Sequence, residues 1–77
     1  MSWNYRVIKT IIGGEESYGI HEVYYDEQGK PKMYSKDPVP AYGETLLELK
    51  EDMERLLKAF NTPILTEDDF NSTLQRE

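Results

Sequence analysis

Apolar and polar positions alternate imperfectly along the first third of the chain, as expected for β-strands. Residues 3–12 read WNYRVIKTII and residues 18–25 read YGIHEVYY, and both segments are rich in aromatic and β-branched side chains. The glycine-containing segment 13–17 separates them, and the four residues after the second segment have Asp first and Gly last, as in a turn. Residues 32–35 can supply a short third strand, so the sequence predicts three strands joined by hairpins.

The next periodic segment has the spacing of an amphipathic helix. Thr45 and Glu48 fit a capping box, which predicts a helix start at Thr45, and Asn61 and Pro63 predict its end near Phe60. Apolar residues three and four apart form a stripe that we expect to face a core: Leu46, Leu49, Met53, Leu56, Leu57 and Phe60. Charged residues four apart predict ion pairs on the opposite side: Lys50/Glu54, Glu51/Arg55 and Glu54/Lys58.

The order of these segments predicts an α+β fold. With a fourth strand at residues 64–65, the order is β-β-β-α-β, a two-layer sandwich with one amphipathic helix on one face of the sheet. The first three strands form an antiparallel meander, and a right-handed crossover places the fourth beside the first, in the order 3-2-1-4. Residues 1–66 form a single domain, and residues 67–77 are a polar tail or a short helix capped by Thr66 and Asp69.

The two faces of the predicted sheet are both apolar. If segment 13–17 closes the hairpin symmetrically, one face carries Tyr5, Val7, Ile11, Val23 and Tyr25. The other face carries Ile8, Ile12, Tyr18, Ile20 and Tyr24. Because one helix covers one face, the other would expose a patch that monomers seldom leave bare. A second copy, a different protein, or the C-terminal segment with Phe70 and Leu74 could cover it.

Composition narrows the classes of function. Nine Lys and Arg against fifteen Asp and Glu give a formal charge of −6, which disfavours direct binding to nucleic acid. The chain has no cysteine, so it has neither disulfides nor a thiolate zinc site, and a reducing, bacterial-type cytoplasm fits best. The first residues lack a secretion signal, and no stretch reaches membrane-spanning length.

The residues that could perform catalysis are few. His21 is the sole histidine, and Glu22 next to it would point to the opposite face of a strand, so the two cannot form an acid-base pair. A structural role for His21 is therefore favoured, and one histidine gives too few ligands for a metal. The acidic run 67–69 reads as a solvated segment, and Gly13-Gly14 as a turn rather than a phosphate cradle. We expect no catalytic residue, metal or cofactor.

Three segments carry a resemblance to a known family. YRVIKT, YGIHEVYY and the Gly43-Glu44-Thr45-Leu46 segment at the start of the helix resemble the HicB-like antitoxin domain, a partial ribonuclease-H-like unit. The chain is also similar to short uncharacterised bacterial proteins of the WNYRV…GIHEVYYD type. The HicB-like resemblance implies a β-β-β-α-β unit that binds and blocks a small RNA-cleaving toxin.

The sequence therefore predicts a non-enzymatic protein-interaction module, antitoxin-like or regulatory. Its partner would be another protein or a second copy, and neither nucleic acid nor a membrane. The predicted partner-binding residues are Trp3, Ile8, Ile12, Tyr18, Ile20 and Tyr24. Two alternatives stay open: a homodimeric domain that binds a small molecule, and an enzyme that uses His21 with a carboxylate from another strand or subunit.

Overall fold

The chain folds into a four-stranded mixed sheet accompanied by one helix, which confirms the predicted α+β class. The computed structural model describes residues 2–70. Its elements are β1 (Ser2–Ile12), β2 (Glu15–Tyr25), β3 (Pro31–Tyr34), α1 (Leu46–Leu57), a 3₁₀ turn (Lys58–Asn61) and β4 (Leu65–Thr66). The predictions made for residues 71–77, including Leu74, lie outside the described part of the chain.

The strands lie in the predicted order, β3-β2-β1-β4. β1 and β2 are antiparallel, as are β2 and β3, whereas β4 runs parallel to β1 with Leu65 beside Ile8. The loop after β3 continues along the edge of β2, because the Ser35 N–H donates to the Glu22 carbonyl (2.9 Å) and the Val39 N–H to the Ile20 carbonyl (2.7 Å).

The hairpin between β1 and β2 is tighter than the sequence predicted. Its loop is only Gly13 and Gly14, whose φ angles of 59° and 85° suit a two-residue type I′ turn, and β2 begins at Glu15 paired with Ile12. The predicted five-residue loop was wrong. Since side chains alternate along a strand, this change of pairing moves one strand's side chains to the other face relative to its partner.

The predicted assignment of side chains to the two faces is therefore also wrong. The inner face carries Asn4, Arg6, Ile8, Thr10 and Ile12 of β1 with Ser17, Gly19, His21, Val23 and Tyr25 of β2. The outer face carries Trp3, Tyr5, Val7, Lys9 and Ile11 of β1 with Glu16, Tyr18, Ile20, Glu22 and Tyr24 of β2.

The main core lies on the inner face. Ile8 and Val23 are fully buried there and cluster with Leu65 and Phe70, and Tyr25 and Tyr34 pack against the cluster. Phe70 belongs to a helical turn that begins at residue 68, and the Thr66 N–H donates to the Asp69 carboxylate at 2.8 Å, as a cap should. Of the three candidates for covering the second face of the sheet, the C-terminal segment therefore contributes at least Phe70, which packs in the inner-face core.

The start of α1 has the predicted cap. The Thr45 hydroxyl accepts a hydrogen bond from the Glu48 N–H at 3.1 Å, and the Glu48 carboxylate accepts one from the Glu44 N–H at 3.0 Å. This second bond lies one residue before the position that a capping box uses. Within residues 2–70, α1 forms an ion pair between Asp52 and Arg55 rather than the predicted pairs four residues apart.

The predicted apolar stripe faces a core only through Leu56, and its other five members are exposed, contrary to the prediction. Leu56 is the one buried residue of α1, and Ala59 is the buried residue of the 3₁₀ turn, which contacts β1. The preceding loop packs on the helix instead: the Tyr42 N–H donates to Asp52 at 2.9 Å, and a Cβ on Gly43 would lie 2.3 Å from the Leu49 nitrogen. The helix thus turns Asp52 and Leu56 inward, about 100° and about 60° respectively from Met53 at the centre of the stripe.

The turn geometry leads to a first prediction. Replacing Gly14 by Ala places a Cβ on a residue with a φ of 85°. We expect this strain to lower the unfolding free energy by about 1 kcal/mol. Urea unfolding followed by Trp3 fluorescence measures the change. The matched control is Gly13→Asn, which should leave stability nearly unchanged because Asn-Gly favours type I′ turns. An equal loss in both variants would contradict the two-residue turn.

Candidate interaction surfaces

The first candidate surface is the outward side of α1. It comprises Leu46, Leu49, Met53 and Leu57 of α1 together with Phe60 of the 3₁₀ turn that follows, and we call it the helix stripe. Their exposed fractions are 83%, 37%, 50%, 57% and 65% in that order. An isolated exposed apolar side chain is ordinary, but five in one row along a helix form a continuous apolar surface. The sequence showed this stripe as a helical repeat, and the error lay in assigning it to a core.

The second candidate surface is aromatic and lies on the outer face of the sheet. Trp3, Tyr5 and Tyr24 form it, and we call it the Trp3 cluster. The ring centroid of Trp3 lies 5.3 Å from that of Tyr5, edge to face, and 6.4 Å from that of Tyr24. The Tyr24 hydroxyl donates to the Glu22 carboxylate, and this hydrogen bond raises the pKa of Tyr24. Trp3 nevertheless remains half exposed, so the cluster offers a large aromatic side chain to a partner.

An open groove adjoins the Trp3 cluster. It has a volume of about 380 Å³ and is lined by Trp3, Tyr5, Arg55 and Lys58, among others. Because the groove is open to solvent, it does not enclose a ligand in the way that small-molecule sites usually do. It extends the aromatic surface towards two cationic side chains.

The predicted partner-binding residues do not share one surface. Trp3, Tyr18, Ile20 and Tyr24 lie on the outer face, whereas Ile8 and Ile12 lie on the inner face. Ile8 is fully buried in the core, and Ile12 is 72% exposed next to the hairpin turn. The prediction that Ile8 and Ile12 share a face with Tyr18, Ile20 and Tyr24 was therefore wrong, whereas Trp3, the predicted anchor, does lie on the same side as the last three. Sequence reasoning missed Met33, which is exposed and pairs with Tyr24 across β2 and β3.

His21 is the chemically most versatile side chain, and it is buried. Its Nδ1 lies 2.9 Å from the Ser35 carbonyl oxygen, which can only accept, so Nδ1 carries the proton and donates it. The ring packs edge to face on Tyr34 at 5.3 Å. A Cβ added to Gly19 would lie 3.2 Å from the His21 Nε2, so the other ring nitrogen is closely packed against the strand. These contacts are those of a structural histidine, as predicted.

The groove next to His21 contains further polar groups but gives His21 no hydrogen-bonded carboxylate. Tyr34, Asp37 and Glu67 are among the residues that line it, and its volume is about 340 Å³. Burial, followed by the charge of Glu67, raises the pKa of the Tyr34 phenol. Across residues 2–70, His, Asp and Glu side chains nowhere form a group of three or more that could hold a metal ion.

Between residues 2 and 70, no helix has both the length and the apolar character needed to cross a membrane. Comparisons with protein families, curated proteins and solved structures found no match to the chain.

The position of His21 leads to a second prediction. His21→Ala should lower the unfolding free energy by about 2–3 kcal/mol, since it removes a buried ring and leaves the Ser35 carbonyl without its donor. Urea unfolding measures this loss, and Tyr18→Ala, an exposed aromatic residue on the same strand, should change stability by less than about 0.5 kcal/mol. Unchanged stability of His21→Ala would remove the structural role and strengthen the enzymatic alternative.

The anchor between Asp52 and the preceding loop predicts a dependence on pH. The hydrogen bond from the Tyr42 N–H, and then that from Arg55, lower the pKa of the Asp52 carboxyl. A lowered folded-state pKa means that the carboxylate stabilises the fold above the unfolded value of about 4, and this contribution is lost as pH falls through the folded value. Wild type should exceed Asp52→Asn in stability at neutral pH, and the two urea midpoints should converge in acid. A difference between the two urea midpoints that stays constant with pH would contradict a stabilising role for the Asp52 carboxylate.

Proposed function

We propose that this chain is a non-enzymatic protein-interaction module that binds another protein, or a second copy of itself, through exposed apolar surface. One observation carries the proposal: large apolar or aromatic side chains are more than one third exposed along the whole described chain. They are Trp3, Ile11, Ile12, Tyr18, Met33, Tyr42, Leu46, Leu47, Leu49, Met53, Leu57, Phe60 and Ile64. Soluble monomers rarely leave extended apolar patches bare, and such patches usually mark sites of association.

The helix stripe is the stronger of the two surfaces. A helix that presents apolar residues three and four positions apart is a common recognition element, because its row of side chains fits a groove or another helix. The hydrogen bond from Tyr42 to Asp52 holds this row outward, so binding does not require the helix to detach from its own loop. This pre-organisation lowers the entropic cost of association.

The Trp3 cluster supplies an aromatic anchor. Trp and Tyr are over-represented among the few interface residues that contribute most of the binding energy. The edge-to-face contact with Tyr5 restricts the Trp3 ring while half of its surface stays exposed. We therefore keep Trp3, Tyr18, Ile20 and Tyr24 as partner-contacting residues and omit Ile8, which is fully buried.

The contacts of His21 favour an interaction module over an enzyme. A catalytic histidine needs an exposed nitrogen within reach of substrate and an orienting carboxylate. His21 is 5% exposed, its Nδ1 proton is donated to a backbone carbonyl, and Glu22 lies on the opposite face of the sheet.

The cellular setting of the proposal is the cytoplasm. Absence of cysteine from the whole sequence supports a reducing compartment. The resemblance to HicB-like antitoxins remains a prediction about the partner, which on that hypothesis would be a small RNA-cleaving toxin. It rests on the helix-start segment Gly43-Glu44-Thr45-Leu46 and on an order of elements that many folds share.

The test is affinity capture from the native cells with three tagged forms of the chain: wild type, Leu57→Glu and Leu47→Glu. Leu57 belongs to the helix stripe, whereas Leu47 is equally exposed outside it, with exposed fractions of 57% and 63%. Wild type and Leu47→Glu should each retain a stoichiometric amount of one protein, either a foreign protein or the untagged chain. Leu57→Glu should bind that protein about tenfold more weakly, a loss of roughly 1.4 kcal/mol of binding free energy.

A second capture with Trp3→Ala decides whether the Trp3 cluster also contributes. The captured protein is then titrated calorimetrically with the purified wild type and variants. Their affinities should follow the same order as the amounts captured. Capture of no stoichiometric protein by wild type, together with a monomeric purified chain, would overturn the proposed function.

A further inference from the structure

The helix stripe has an internal symmetry that identifies a partner. Counted from Met53, its members lie at −7, −4, 0, +4 and +7, because Leu46 and Phe60 are equidistant from Met53, as are Leu49 and Leu57. A helix laid antiparallel on a copy of itself, with a two-fold axis through Met53, places residue i opposite residue 106 − i. Every apolar member of the stripe then faces another apolar member.

We propose that two copies of this chain associate through their α1 helices, antiparallel, about a two-fold axis at Met53. The inference rests on the proposed function and specifies it, because it names the partner and the surface. In this arrangement Leu46 contacts Phe60 of the second copy, Leu49 contacts Leu57, and the two Met53 side chains meet on the axis. The spacing follows the three-and-four repeat by which paired helices interlock.

The charges beside the stripe fit the same arrangement. Lys50 and Glu54 lie on one flank of the stripe, about 40° apart around the helix. A two-fold axis perpendicular to antiparallel helices brings the same flank of each helix together, so Lys50 of one copy lies near Glu54 of the other, and the reverse. Lys50 and Glu54 form no ion pair with the described residues of their own chain, so both can pair across the interface.

Parallel helices would not bring the apolar stripe and the charged flank of the two copies together in this way. In parallel helices each residue faces its own copy, and the flank of one helix meets the opposite flank of its partner. The opposite flank of α1 holds Asp52 and Leu56, which are turned toward the rest of their own chain. The antiparallel arrangement therefore leaves the anchored side of each helix undisturbed.

The size of the interface predicts a reversible dimer. A twelve-residue helix is about 18 Å long, so the stripe buries less surface than a permanent dimer usually does. We expect the weight-average mass in sedimentation equilibrium to rise from one chain towards two as concentration increases.

The first experiment compares Leu57→Glu with Leu47→Glu by sedimentation equilibrium. Both variants make the same change at nearly the same exposure, and only Leu57 belongs to the stripe. Leu57→Glu should weaken dimerisation at least about tenfold, whereas Leu47→Glu should dimerise like wild type; circular dichroism checks that all three forms are folded. A wild-type chain that stays monomeric at every concentration, or equal effects of the two variants, would overturn the inference.

A charge exchange tests the flank. Lys50→Glu puts two carboxylates together on each side of the axis and should weaken the dimer several-fold. Adding Glu54→Lys restores opposite charges across the interface and should return the affinity towards that of wild type. No rescue in the double variant would exclude the proposed register.

Cross-linking tests the orientation, and the cysteine-free sequence makes single-cysteine variants unambiguous. Met53→Cys should form a disulfide-linked dimer under mild oxidation, because the two residues meet on the axis. Leu46→Cys should not, because it faces Phe60 of the other copy, whereas Leu46→Cys together with Phe60→Cys should. Cross-linking of Leu46→Cys alone would indicate parallel helices and overturn the inference.

Failure of this inference is distinguishable from failure of the proposed function. A purified monomer whose stripe variants still lose a captured foreign protein leaves the interaction module in place and removes only the homodimer. A monomer that captures nothing removes both.

Discussion

The two-residue turn at Gly13-Gly14 determines how the rest of the sheet is used. It pairs Ile12 with Glu15, and each later pair of the hairpin follows from that one. Ile8 and Val23 consequently point to the same face, where Leu65 and Phe70 complete the core. A loop longer or shorter by one residue would move one strand's side chains to the opposite face relative to the other strand.

The same register decides which aromatic side chains remain available for binding. Trp3, Tyr5 and Tyr24 share the outer face only because an odd-numbered residue of β1 pairs with an even-numbered residue of β2. On the inner face, His21 and Phe70 both pack on Tyr34, with ring centroids 5.3 Å and 4.8 Å away. The turn therefore places the main core cluster on one face and an exposed aromatic cluster on the other, where Val7 is also buried.

The helix start and the order of strands could be predicted from the sequence because both depend on local signals. Thr45 and Glu48 cap the helix through neighbouring backbone groups, whereas α1 itself ends at Leu57, earlier than the predicted end near Phe60, and a 3₁₀ turn continues to Asn61. The pairing register of β1 and β2 was harder to predict from the sequence. Segment 13–17 permits either a two-residue or a five-residue loop, and both possible faces of the sheet are apolar. Turn chemistry was the signal that could have decided, because two consecutive glycines favour the shorter loop.

The orientation of α1 could not be predicted from periodicity, and that orientation is what creates the candidate site. An apolar stripe indicates that a helix buries one side, but the pattern does not distinguish the protein's own sheet from a partner. Here local contacts made the choice: the Tyr42 N–H donates to Asp52, Gly43 lies close to the helix backbone, and Leu56 and Ala59 are buried on the same side.

The symmetry of the stripe carries the functional argument further than its exposure does. Exposure alone is compatible with any apolar partner, whereas a pattern that reads the same in both directions from Met53 is complementary to itself. The net charge of −6 on each chain opposes self-association at long range, but physiological salt screens it beyond about 8 Å. In the proposed dimer close contacts then decide the outcome, and the Lys50 and Glu54 flank would supply attraction at the distance where screening is weak. A self-complementary helix on a small acidic domain thus has a physical reason to select its own copy.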